Sequence, residues 1–91
     1  MKASLVYQFK QANGKGRIEG VARQVPTPVP PTEHGYKYRL VYVVAGERLV
    51  RCDNERGKGD HRHLKSQEMP YRLVDVPTLV RDFIKDVEAV S

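Results

Sequence analysis

The sequence predicts an α+β fold: an antiparallel, twisted sheet of four to five strands with one C-terminal helix packed on one face. Three observations predict it. Residues 36–44 alternate with a period of two, Asn13-Gly14 separates two extended-looking runs, and the apolar residues after Asp75 recur at helical spacing. Ninety-one residues make one domain, spanning 1–91, with enough chain for one sheet face covered by one helix.

The first element is a hairpin over 3–24. Leu5, Tyr7 and Phe9 alternate with Val6, Gln8 and Lys10, and Ile18 and Val21 lie in a second extended run. Asn-Gly tolerates positive φ at both central turn positions, so strands near 3–10 and 17–24 should pair antiparallel. Residues 25–35 then form a connector. Pro26, Pro28, Pro30 and Pro31 fix φ and remove backbone donors, which excludes a central strand.

Strands and a polar loop occupy 36–74. Tyr36, Tyr38, Leu40, Tyr42 and Val44 should point one way, and Lys37, Arg39, Val41 and Val43 the other. Ala45-Gly46-Glu47 reads as a tight turn into a strand at 48–53. A glycine-containing loop at 54–60 follows, a strand resumes at 61–64, and Tyr71 and Leu73 suggest a short strand after Pro70. The helix spans 76–90. Val76, Leu79, Val80, Phe83, Ile84, Val87 and Val90 make its apolar face, Asp75 is placed to cap it, and Pro77 falls in its first turn.

Apolar residues make up 40% of the chain and charged residues 30%, a composition that folds. The net charge of +5 favours an acidic partner, either nucleic acid or an acidic protein. Cys52 is the only cysteine, so an intrachain disulfide and a paired-cysteine zinc site are excluded. No apolar run approaches the roughly 20 residues of a membrane span, and Met1–Lys10 lacks a signal-peptide core. A cytoplasmic protein without a membrane partner is expected.

The densest chemistry lies between Asp53 and His63: Asp53, Asn54, Glu55, Arg56, Lys58, Asp60, His61, Arg62 and His63, with glycines at 57 and 59. On a strand, His61 and His63 share a face, with side chains starting roughly 7 Å apart. That suits an acid–base pair about a phosphate, or joint metal binding with Asp53 or Asp60 as third ligand. The plain alternative is two exposed histidines on a polar strand. Gly57-Lys58-Gly59 can present backbone N–H groups and an ammonium to an anion. Arg56 and Arg62 can hold phosphates or pair with nearby acids, Asp53 or Asp60 can orient a histidine, and Asn54 can bind ligand or start a turn. Lys37 and Arg39 extend the basic surface. His34 reads as exposed, and Cys52 as a small packing residue.

These segments together resemble one family. Tyr36-Lys37-Tyr38-Arg39-Leu40-Val41-Tyr42, Gly46-Glu47-Arg48-Leu49-Val50-Arg51 and the run from Asp53 to His63 are similar to the TumE family of toxin–antitoxin proteins. Pro70-Tyr71-Arg72-Leu73, Leu79, Asp82-Phe83 and the proline connector also fit. Cys52 stands where an aromatic is expected, and Leu73 where phenylalanine is common. The resemblance implies a toxin whose partner is a cognate helix-turn-helix antitoxin that neutralises it.

The expected function is therefore a type II toxin acting on RNA by histidine-based phosphodiester cleavage, without a cofactor. His61 and His63 would move protons, and Lys58, Arg56 and Arg62 would stabilise phosphate charge. A metal-dependent nuclease is one rival. A non-catalytic basic protein that grips nucleic acid or a cellular protein is another. The strong 36–44 strand or a sheet edge also leaves a homodimer open.

Overall fold

The computed structural model describes residues 4–28, 30, 34–55 and 57–90. Its sheet is a meander in which every strand pairs antiparallel with the next: β1 (Ser4–Asn13), β2 (Gly16–Gln24), β3 (Tyr36–Val44), β4 (Glu47–Glu55), β5 (Gly59–Leu64) and β6 (Gln67–Pro70). The helix α1 (Val76–Val90) closes one face. The architecture is the expected α+β sheet and helix, with six strands in place of four to five.

Alternation decides which face each residue joins. Tyr38, Leu40 and Tyr42 of β3 join Ile18 and Ala22 of β2 and Val50 and Cys52 of β4 in the core, under Leu79, Phe83 and Val87 of α1. Burying each large apolar side chain contributes about 1.5–3 kcal/mol. Phe9 of β1 reaches the helix edge-on, its ring 6.5 Å from that of Phe83. Gly20 makes this possible, because a Cβ there would meet the Phe9 ring. Asp75 caps the helix, Oδ1 accepting from Thr78 N–H at 2.7 Å, and hydrogen bonding first to the Thr78 side chain and then to this N–H holds its carboxyl below the usual range.

Two strand assignments differ from expectation. Most of the expected loop at 54–60 is strand, because positive φ at Gly57 and Gly59 (87° and 79°) lets the chain reverse within a tight turn. The last strand is Gln67–Pro70, not Tyr71–Leu73. Lys65 takes positive φ in the turn before it, and Pro70 ends it at the sheet edge, where a missing N–H costs little. Tyr71 leaves the sheet and donates its hydroxyl to Asp82 of the helix at 2.8 Å.

The connector straps the sheet end. Its Pro30 carbonyl accepts from Gly57 N–H at 2.8 Å, and its Gly35 carbonyl accepts from Val25 N–H at 2.9 Å. His34, expected to be exposed, is part-buried. Its Nδ1 accepts from Tyr36 N–H, which places the ring proton on Nε2, 2.9 and 3.0 Å from the two oxygens of Asp60.

Candidate functional site

Residues opposite one another in a ladder share a face. Lys10, Glu19, Val41, Arg51, His63 and Glu68 form one such row across all six strands. Gln8, Val21, Arg39, Asp53, His61 and Pro70 form the next. Both rows lie on the face away from the helix. The histidine rings meet edge-on there, with centroids 5.0 Å apart.

The polar run is thus divided by the sheet. Asp53, His61 and His63 face one side, while Asp60 and Arg62 face the other. Asp60 accepts from the Tyr38 hydroxyl at 2.7 Å as well as from His34. It orients neither His61 nor His63 and is no ligand beside them. Burial, then the Asp60 bond, push the Tyr38 phenol up, so it stays a donor. Arg62 approaches Asp86 of the helix, Nε to Oδ2 at 3.8 Å. Burial raises the Asp86 carboxyl above its ordinary value, against the opposing pull of Arg62. Cys52 packs in the core as expected, and burial pushes its thiol up, away from nucleophilic use.

Asn54 is fully buried and closes the sheet where ladder pairing of β3 and β4 stops. Its Oδ1 accepts from Tyr38 N–H at 3.1 Å and its Nδ2 donates to the Tyr36 carbonyl at 2.7 Å. Both ends of the amide thus hold backbone of β3. Lys37 donates to the Asn54 carbonyl, which ties it to the same junction. Arg39 stays exposed. Arg56 lies outside the described residues.

The two histidines differ in environment. His61 is buried, 4% exposed. Its Nδ1 lies 3.0 Å from the Gly59 carbonyl and its Nε2 2.8 Å from Asp53 Oδ1. The second approach is short but off the line of a hydrogen bond. Both ring nitrogens therefore face oxygen inside the protein. The His63 side chain is 22% exposed. Its Nε2 accepts from Arg51 Nη2 at 2.9 Å, because a guanidinium only donates. Burial, and then Arg51, hold the His63 imidazole below its ordinary value. Arg51 also reaches Asp53, Nε to Oδ2 at 3.5 Å.

Glu68 completes the group, and the sequence reading missed it. It stands opposite His63, with Oε1 3.8 Å from His63 Nε2 and 3.7 Å from Lys58 Nζ. Only the pairing of β6, whose Gln67-Glu68-Met69-Pro70 lacks strand alternation, brings it there. His61, His63 and Glu68 offer ligand atoms within 4.8 Å of one another. Arg51 sets a permanent positive charge beside the nitrogen a metal would use, so the trio suits a cation poorly. Among the described residues, no helix is long and apolar enough to cross a membrane.

A family model described as Toxin TumE matches residues 2–91, nearly the whole chain. No curated protein and no solved structure matches it. The chain belongs to the TumE toxin family. Membership gives it a toxin role and implies an antitoxin partner.

Proposed function

We propose that this toxin cleaves RNA, with His63 as the group that accepts the proton and Arg51 as its phosphate-binding partner. The observation that carries the reading is the Arg51–His63 pair: a part-exposed imidazole held 2.9 Å from a guanidinium on the helix-free face. A depressed imidazole is neutral near neutral pH, the form that can take a proton.

The chemistry uses the pair in sequence. Phosphate oxygens accept from a guanidinium more strongly than a neutral ring nitrogen does. An arriving phosphate draws Arg51 from His63, which frees Nε2. His63 then removes the proton of the ribose 2′-hydroxyl, the 2′-oxygen attacks the adjacent phosphorus, and the bond to the 5′-oxygen breaks. Water protonates the leaving oxygen. Lys58, beside Glu68 at the tip of the β4–β5 hairpin, supplies a second cation. His61 supports the site through Asp53 and is not a second acid. In this reading the antitoxin is of the helix-turn-helix kind, and the pair is type II.

The second reading is a basic binding protein that inhibits without catalysis. What favours it is His61, which is buried with both ring nitrogens turned toward oxygens inside the protein and away from solvent. Mapping RNA ends after induction of wild type and His63→Ala separates the two. Ends present only with wild type support cleavage. Intact RNA with a toxic wild type would replace it with the binding reading.

A further inference from the structure

On the same helix-free face, beside the histidine site, β1–β4 form a shallow trough of about 570 Å³. Its lining holds four cations, Lys10, Arg17, Arg39 and Arg48, against one carboxylate, Glu19. Glu19 is shared: Lys10 Nζ lies 3.3 Å from one oxygen and Arg17 Nε 3.4 Å from the other. Arg39 and Arg48 have no acidic partner among the described residues. Both are exposed.

We infer that this trough binds the sugar–phosphate backbone of single-stranded RNA and leads the strand to the Arg51–His63 pair. The inference rests on the RNA reading above and adds the route by which substrate lies on the sheet. Register supplies the continuity. Arg39 stands opposite Asp53, and Val41 opposite Arg51, so the trough adjoins the histidine site with no element between them. Strands lie about 4.8 Å apart, so β1 to β5 spans roughly 19 Å, a path a few nucleotides long.

The aromatic rings lie elsewhere. Tyr38 and Tyr42 belong to the helix side, and Phe9, the one aromatic residue lining the trough, sets its ring against Phe83 of the helix, so the rest of the lining offers valines, polar groups and cations. Without stacking platforms the grip falls on phosphates, so binding is tolerant of sequence and steep in salt. Glu19 opposes it, holding two cations that phosphate would claim.

Binding of a fluorescent single-stranded oligoribonucleotide is measured by anisotropy over a salt series. His63→Ala serves as the non-cleaving background, with Arg17→Ala/Arg39→Ala/Arg48→Ala and Glu19→Gln each added to it. The triple variant should weaken binding at least tenfold at low salt and flatten the log–log salt slope by about 2, at roughly 0.7 per phosphate contact. Glu19→Gln should tighten binding, a gain that misfolding does not mimic. Unchanged affinity and slope in the triple variant, or no binding in the background protein, overturns the trough. So does a triple variant that keeps RNA but loses the antitoxin, since the trough would then be the antitoxin's seat. RNA-end mapping reads separately: trough-dependent binding without wild-type ends removes cleavage and keeps the trough, whereas wild-type ends unaffected by the triple variant remove the trough alone.

Discussion

Arg51 meets His63 across β4 and β5, its Nη2 2.9 Å from the ring Nε2. A donor-only group at that nitrogen selects the neutral tautomer and opposes a second proton. Arg51→Met should therefore move the His63 titration midpoint upward, toward the ordinary imidazole value. A pH series following the His63 ring proton by NMR checks this. An unmoved midpoint would leave burial as the whole cause.

The same depression sets a pH dependence of stability. A group whose folded value lies below its unfolded value contributes fully above the unfolded value and loses that contribution as pH falls through the folded one. For His63 the unfolded reference is 6.5. Urea midpoints should fall on acidification below about pH 6.5, and the fall should shrink in His63→Gln.

The two histidines should separate under mutation. His63 is part-exposed, so His63→Ala should remove toxicity with little change in unfolding free energy. His61 is buried against Asp53, so His61→Ala leaves a carboxylate without its ring partner and should cost about 3 kcal/mol. Chemical denaturation of both variants, alongside growth assays, tests the division. Equal stabilities would refute it.

Asn54→Ala should cost about 2–4 kcal/mol, because it strands the Tyr38 N–H and the Tyr36 carbonyl at a buried junction. Toxicity should fall only as far as folding does. Normal stability with lost toxicity would return Asn54 to a ligand-binding role.

The residues that announced themselves were those whose pattern is local. The alternation of Tyr36–Val44 and the helical spacing from Val76 to Val90 both depend on side chains that meet a core. Gln67–Pro70 meets none, being a polar edge strand held by backbone pairing with β5, so nothing in its composition marked it. Glu68 was hidden for that reason. The division of the polar run was available in the alternation itself: if His61 and His63 share a face, Asp60 and Arg62 take the other. His34 required the path of the connector, which four prolines constrain without directing.

Because each strand pairs only with its neighbour in sequence, the sheet can form in the order in which it is synthesised. The helix follows all six strands, and until it emerges from the ribosome Tyr38, Leu40 and Val50 have no cover. The face carrying Arg51 and His63 thus acquires the support of the helix only once residues 76–90 have been made. A nascent chain stalled before residue 76 carries the polar run on a sheet whose opposite face still lacks its helix.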